Sequence, residues 1–408
     1  MTLPPFHPFS LEYTANPKPY FAQFHKDGRL YEHEEFGAWF AHDYESVRAF
    51  CDHPQMSRRP TVDAGLEKDL EAGQARWPIL DASMTGGAAP QDEEYNDQLV
   101  LRKVLAPDFR PGTIRKMTAT VRDAVAKHCA PIQWENEVDV VTLVQGVPLS
   151  VITQLLGMAE SGPNAEVFLT AGPDFFRGIG PLVSAEAKDR AEAAAGAMIQ
   201  VLAEEVEARR VKPREDLISN VIEVVDQTDG MDPAEVIPTL VVLLAAGTDT
   251  TRLTTSLAVK TLLDHPEELE KLRANRDLLP NAIMELMRFE GATKFLARST
   301  LEDVEWRGQT IPAQTSVLIS ILGAGWDPKV FEAPERFDVT RDLRGSLSFG
   351  FGRGYCMGTH LARLQLEELL GFFLDHLPEG ASVDPAKMVW DPTNAFLREV
   401  RSMPTTLR

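Results

Sequence analysis

Residues 346–370 read SLSFGFGRGYCMGTHLARLQLEELL. A single cysteine, Cys356, stands at the junction of two kinds of sequence. Before it lies a glycine-rich run, Phe349-Gly350-Phe351-Gly352-Arg353-Gly354-Tyr355. After it, Leu361, Leu364, Leu369, Leu370 and Phe373 recur at helical spacing. The thiol is therefore expected just ahead of a helix N-terminus, where free N–H groups and the helix dipole stabilise a thiolate and can donate to its sulfur. The glycines let the backbone take positive φ and approach a flat ligand. An isolated cysteine in such a turn is ordinarily a small buried hydrophobe. The Phe-Gly-x-Gly run, the seven-residue step from Phe349 to Cys356 and Gly358 beyond it argue for a built site.

Upstream, Asp232-Pro233-Ala234-Glu235 combines a capping Asp, a first-turn Pro and a third-position Glu. The pattern predicts a helix from 232 to about 263, with Pro266 just past its end. This otherwise apolar helix is interrupted at Ala246-Gly247-Thr248-Asp249-Thr250-Thr251. Gly, Asp and Thr are poor helix-interior residues, and a local rule broken inside a core helix points to function. The Thr250 hydroxyl can compete for the Ala246 carbonyl and open a groove. Ala246 and Gly247 keep the helix slim at this point. A kinked helix with a solvated polar face is the plainer reading of the same residues.

Elsewhere helices dominate. One is expected over 184–210 with Ser184 as its cap, and another opens at Pro280 and carries Glu285 and Arg288. Val304–Trp306 and 315–319 flank turn residues as in small hairpins, and 81–90 (DASMTGGAAP) reads as a loop. The sequence has no repeats and no long linker. It predicts one mainly α domain over 1–408 with a small β part. The net charge of −20, from 41 Lys and Arg against 61 Asp and Glu, speaks against nucleic acid as partner. Three cysteines in 408 residues make no disulfide framework. No signal peptide and no spanning run of about 18 apolar residues is visible. A cytoplasmic protein off the membrane is expected.

The loop has the form FGxGx(H/R)xCxG, and the interruption has the form (A/G)Gx(D/E)T(T/S). In both, the chain resembles the cytochrome P450 family, from about Gln98 to its C-terminus. The resemblance implies the P450 fold, a triangular α-rich prism with small β-sheets. It implies heme b with Cys356 as the axial ligand. Thr250 would hydrogen-bond the oxygen being cleaved and hold water, and Asp249 would relay protons. Ala246, Gly247, Phe349 and Gly358 would line the cofactor. Arg298 would meet a propionate, as would Arg102 on the segment where Gln98 replaces the usual His. Gly354 replaces the His or Arg normally found two residues before the cysteine, and the neighbouring Arg353 is the candidate for the missing contact. Glu285, Arg288 and Arg336 (within Pro334-Glu335-Arg336-Phe337, similar to PxRF) would form a buried charge network. The pair Glu285/Arg288 lies 35 residues after Thr250 and 68 before Cys356, as the family requires. Gly325-Trp326 departs from the common Asn-Arg.

By the same resemblance the chain would be a monooxygenase. It would insert one atom of O2 into a small hydrophobic substrate, by hydroxylation or oxidative dealkylation. Electrons would come from NAD(P)H through a ferredoxin and its reductase, and the protein would be a monomer. Substrate walls would include 81–90, Phe168, Phe175, Phe176, Val242, Phe295, Leu296 and Phe396. Lys294 would meet a substrate carboxylate or reach solvent. A ferredoxin would dock near Arg102, Lys103, Arg353 and Arg363. A peroxide-driven or non-oxygenating heme-thiolate enzyme of the same fold is the alternative. A heme sensor has no need of Asp249 and Thr250, and a heme-free thiol enzyme lacks a visible base.

Overall fold

Two stretches almost three hundred residues apart share one sheet. Ala38–Ala41 runs parallel to Ser316–Ile319, with Trp39 opposite Val317 and Ala41 opposite Ile319. Around this pair the strand order is Tyr31–His33, Ala38–Ala41, Ser316–Ile319, Leu296–Thr300, Met56–Ser57. The computed structural model describes residues 5–57, 76–80, 104–130, 136–179, 183–227 and 233–407. Here the hairpin expectation needs correction. Val304–Trp306 does form a hairpin, but with Gln309–Ile311. The 315–319 stretch instead joins the five-stranded sheet. All four residues of Ser316–Ile319 are buried, which suits a strand with neighbours on both edges.

The rest is mainly helical. Ala185–Val211 is capped by Ser184, whose side chain accepts from the Ala187 N–H, as expected. Pro233–Asp264 is the central helix. Its Leu240, Val241, Leu244, Leu253, Leu257 and Leu262 are buried in the largest hydrophobic cluster. Thr359–His376 packs against it, burying Leu361, Leu366, Leu369, Leu370 and Phe373. Leu279–Glu290 lies against both helices. A second cluster joins the sheet to the short helix Tyr44–Cys51 and includes Phe50, Cys51 and Leu347. A third gathers N-terminal aromatics, Phe6, Tyr13, Tyr20, Phe21, Phe24 and Phe40, around Phe295. Among the described residues no helix is long and apolar enough to cross a membrane.

Candidate active site

The cysteine loop is built as the glycines suggest. Gly350 and Gly352 sit at φ 79° and 60°, which side-chain-bearing residues rarely adopt. The turn closes on itself through Gly350 N–H to Leu347 O at 2.7 Å and Cys356 N–H to Phe349 O at 2.8 Å. Thr359 opens the following helix and its hydroxyl donates to the Cys356 carbonyl at 2.7 Å. Of the three cysteines, Cys51 and Cys129 are buried and Cys356 is exposed. Burial pushes the Cys129 thiol up to about 12, so it is a packing group. A thiol presented outward at a helix start, on a loop kept thin by glycine, fits a heme whose iron takes one sulfur ligand.

On the central helix the Thr250 hydroxyl donates to the Ala246 carbonyl at 2.6 Å, the competition read from the sequence. Thr248 does the same to Leu244 at 2.8 Å. A Cβ added at Gly247 would meet only Ile152, at 3.5 Å, so the helix is slim at that point. Asp249 is buried and paired with Arg252, one turn on, at 3.0 Å. Burial raises its carboxyl pKa even though Arg252 opposes the shift. A carboxyl held closer to neutrality is suited to taking and giving protons. Asp249, Arg252 and Thr248 face a cavity of about 160 Å³ that Phe168, Arg177 and Glu399 also line. Arg177 ties Glu399 at 2.6 Å. These three charged neighbours were missed in the sequence. Arg252 alone had left a signal, the i,i+3 spacing from Asp249.

The charge network is present with one exchange. Glu285 and Arg288 are 0% and 1% exposed and pair at 2.6 Å. Arg288 also donates to the carbonyls of Gly325 at 2.8 Å and Pro334 at 2.9 Å. The third guanidinium belongs to Arg341, which meets Glu285 at 3.1 Å. The side chain of Arg336 points outward to Asp338, and only its carbonyl reaches the network, 3.4 Å from Arg288. Pro334 and Phe337 turn the chain so that backbone oxygens, not the Arg336 side chain, face Arg288. Gly325 is explained by proximity, since a Cβ there would stand 2.9 Å from the Arg288 carbonyl. Trp326 covers the helix end by donating to Phe289 O at 3.1 Å.

Arg298 is 5% exposed and donates to Ala297 O at 2.8 Å and Cys51 O at 3.2 Å. Its Nη2 lies 2.8 Å from where a Gly354 Cβ would be. The cation from the sheet thus occupies the space that a side chain at 354 would need. Arg353 is directed to Asp52. Gln98, Arg102 and Lys103, with the 81–90 loop, lie outside the described residues. Phe168 lines the cavity beside Asp249, whereas Phe175 is fully buried core and Phe295 stacks on Tyr13 at 5.7 Å. Lys294 follows neither of its two expected courses. It is buried and donates to the Pro8 carbonyl at 3.0 Å, on the N-terminal side of the sheet. Arg363 borders a shallow groove with Arg115 and His360.

Comparison with known proteins bears on the whole chain. The family model described as Cytochrome P450 matches residues 72–396. The 6-deoxyerythronolide B hydroxylase of Saccharopolyspora erythraea is 32% identical over 91% of this chain and 90% of its own length. The cytochrome P450 monooxygenase PikC of Streptomyces venezuelae is 28% identical over 97% and 92%. The structure of epothilone D-bound cytochrome P450epoK superimposes with a TM-score of 0.87 at 25% identity, covering all of both chains. With a family match of this extent and a hydroxylase this similar end to end, the chain belongs to the cytochrome P450 family and is a heme-dependent monooxygenase that acts on a small molecule with O2.

Proposed function

We propose that this P450 hydroxylates, or oxidatively dealkylates, a hydrophobic organic molecule, with Cys356 as axial ligand and Asp249 and Thr250 as the proton-delivery pair. The observation that carries the reading is the cysteine that closes a glycine loop, its N–H bonded to Phe349 O at 2.8 Å, at the start of Thr359–His376. Heme b, when bound, supplies the activation of O2, and its thiolate ligand favours O–O cleavage.

The protein's own residues would contribute as follows. Gly350 and Gly358 keep the loop thin, and Phe349 with them would line the heme when it is bound. Arg298 offers a buried guanidinium for a propionate; Arg353, tied to Asp52, has that role only indirectly. Arg102 and Gln98 are proposed for the same edge. Ala246 and Gly247 keep the distal helix slim. Thr250 holds its proton on the Ala246 carbonyl oxygen and can turn it to the reacting oxygen, a swing confined to one side chain. Asp249 passes protons inward from the cavity it shares with Arg252, Arg177 and Glu399. Delivery of two protons steers reduction of O2 to water and product, not to peroxide.

The relatives are named for hydroxylation of 6-deoxyerythronolide B and of vitamin D3, which supports a hydrophobic substrate here. A ferredoxin carrying electrons from NAD(P)H would dock beside Arg115, His360 and Arg363, on the side of the cysteine loop. The protein acts as a cytoplasmic monomer and as one domain over 1–408.

The test is the carbon monoxide difference spectrum of reduced protein, with Cys356→Ser alongside. A strongly red-shifted Soret band, absent in the variant, is expected. A band of the neutral-imidazole kind in freshly purified wild type would reject the ligand assignment.

A further inference from the structure

The end of the helix Tyr44–Cys51 is inserted into the cysteine loop, although the two are some three hundred residues apart in sequence. Asp52 Oδ1 accepts from the backbone N–H of Arg353 at 2.9 Å and from its Nε at 2.7 Å. The Asp52 carbonyl accepts from Arg353 Nη2 at 2.9 Å. One residue earlier, the Cys51 carbonyl accepts from Arg298 at 3.2 Å. One turn earlier, the Arg48 guanidinium lies over the Phe351 ring, 4.5 Å from its centroid. The loop is shaped to admit this end. A Cβ at Gly352 would fall 2.2 Å from the Asp52 carboxyl carbon, and one at Gly354 would crowd Arg298 at 2.8 Å and the Cys51 carbonyl at 3.4 Å. Gly352, at positive φ and against Asp52, is therefore favoured by the visiting helix end as well as by any flat ligand.

The helix itself is firmly placed. The Asp43 side chain caps it, Asp327 accepts from the Tyr44 N–H at 2.9 Å, and Trp306 Nε1 donates to Ser46 at 2.9 Å. Asp52 thus transmits the position of a rigid element to the turn Gly352–Gly354, two residues before Cys356. We infer that Asp52 is a positioning residue for the axial ligand: by gripping Arg353 through both main chain and side chain, it fixes the loop geometry that holds the Cys356 sulfur on iron. It fastens the turn next to Gly354, a position that carries no side chain of its own. The inference rests on Cys356 being the heme ligand.

The experiment compares heme-loaded wild type, Asp52→Ala and Asp52→Asn. It follows heme transfer to excess apomyoglobin and the decay of the red-shifted carbon monoxide band, with thermal melts in parallel. Asp52→Ala should lose heme and the thiolate band about two- to fivefold faster, the size expected for loss of a part-exposed ion pair. Its melting midpoint should stay near that of wild type. Asp52→Asn keeps an acceptor for the Arg353 N–H and should recover part of the difference. Rates equal to wild type in Asp52→Ala overturn the inference. So does a faster loss that merely tracks a lowered melting point and is not eased by Asn. A wild type without the thiolate band is a different failure, of the ligand assignment, and removes the inference with it.

Discussion

Two ionic clamps of the molecule have nearly the same bond length. Glu285–Arg288 meets at 2.6 Å and Asp52–Arg353 at 2.7 Å. Their surroundings differ. The first pair is 0% and 1% exposed, with Arg341 as a further partner, and the second is 36% and 35% exposed. Water screens the second and lets its members find other partners once separated. The first has no such recourse, because a charge left alone in the core keeps its desolvation penalty. Distance alone therefore does not rank the two. The buried clamp belongs to folding and the half-exposed one to the local setting of the loop.

The comparison can be broken most directly at Glu285. Glu285→Ala should strand Arg288 and Arg341 and destabilise the fold by about 3–5 kcal/mol, read by chemical denaturation. A loss under about 1 kcal/mol would erase the distinction between the clamps. Next in size is Asp249, whose carboxyl pKa is raised by burial despite its pair with Arg252. Asp249→Asn should lower coupled turnover by about 10²-fold, with peroxide released in place of product. An unchanged ratio of product to electrons consumed would remove Asp249 from the relay.

Lys294 sharpens the contrast from the other side, as a buried amine bonded to carbonyl and hydroxyl oxygens. Burial, with a smaller push from Arg398, lowers its pKa from 10.5 to about 7, against the opposing carboxylates Asp391 and Glu399. Between about pH 7 and 10 the native group is neutral while the unfolded chain still binds the proton. Stability then rises with pH. Relative to Lys294→Met, wild type should gain about 1 kcal/mol per pH unit across that window, measured by denaturation at several pH values. A flat difference would mean that Lys294 stays charged. The smallest effect belongs to the half-exposed clamp. Asp52→Ala should shift global stability by less than about 1 kcal/mol, and a shift as large as that of Glu285→Ala would show that the two clamps are alike.

Much of the site was legible because its chemistry is written in local spacing. The cysteine at the helix start, the Thr250 hydroxyl on the carbonyl four residues back and the Glu285/Arg288 pair three residues apart all depend on one stretch of backbone. Recognising the family needed only those residues and their order. The exchange of Arg336 for Arg341 was not legible, because it depends on how 333–341 turns under the helix Leu279–Glu290, and two arginines in one irregular segment look alike in sequence. Lys294 was misread for a related reason. Its neighbours in sequence are substrate-wall candidates, but its side chain reaches Pro8 and Thr14, in the N-terminal stretch on which Phe295 also packs.

The sequence by itself determined the mainly α class, the Ser184 cap, the place of Cys356 just before Thr359–His376 and the bond of Thr250 to the Ala246 carbonyl within a continuous helix, since capping, periodicity and glycine torsions act within a few residues. Tertiary structure alone decided that 316–319 joins 38–41 in a sheet, that Arg298 fills the place left by Gly354, and that Asp52 grips Arg353. Those contacts arise where segments hundreds of residues apart are brought together by burial of the core. The energy that selects them is shared across that core and leaves no local pattern to read.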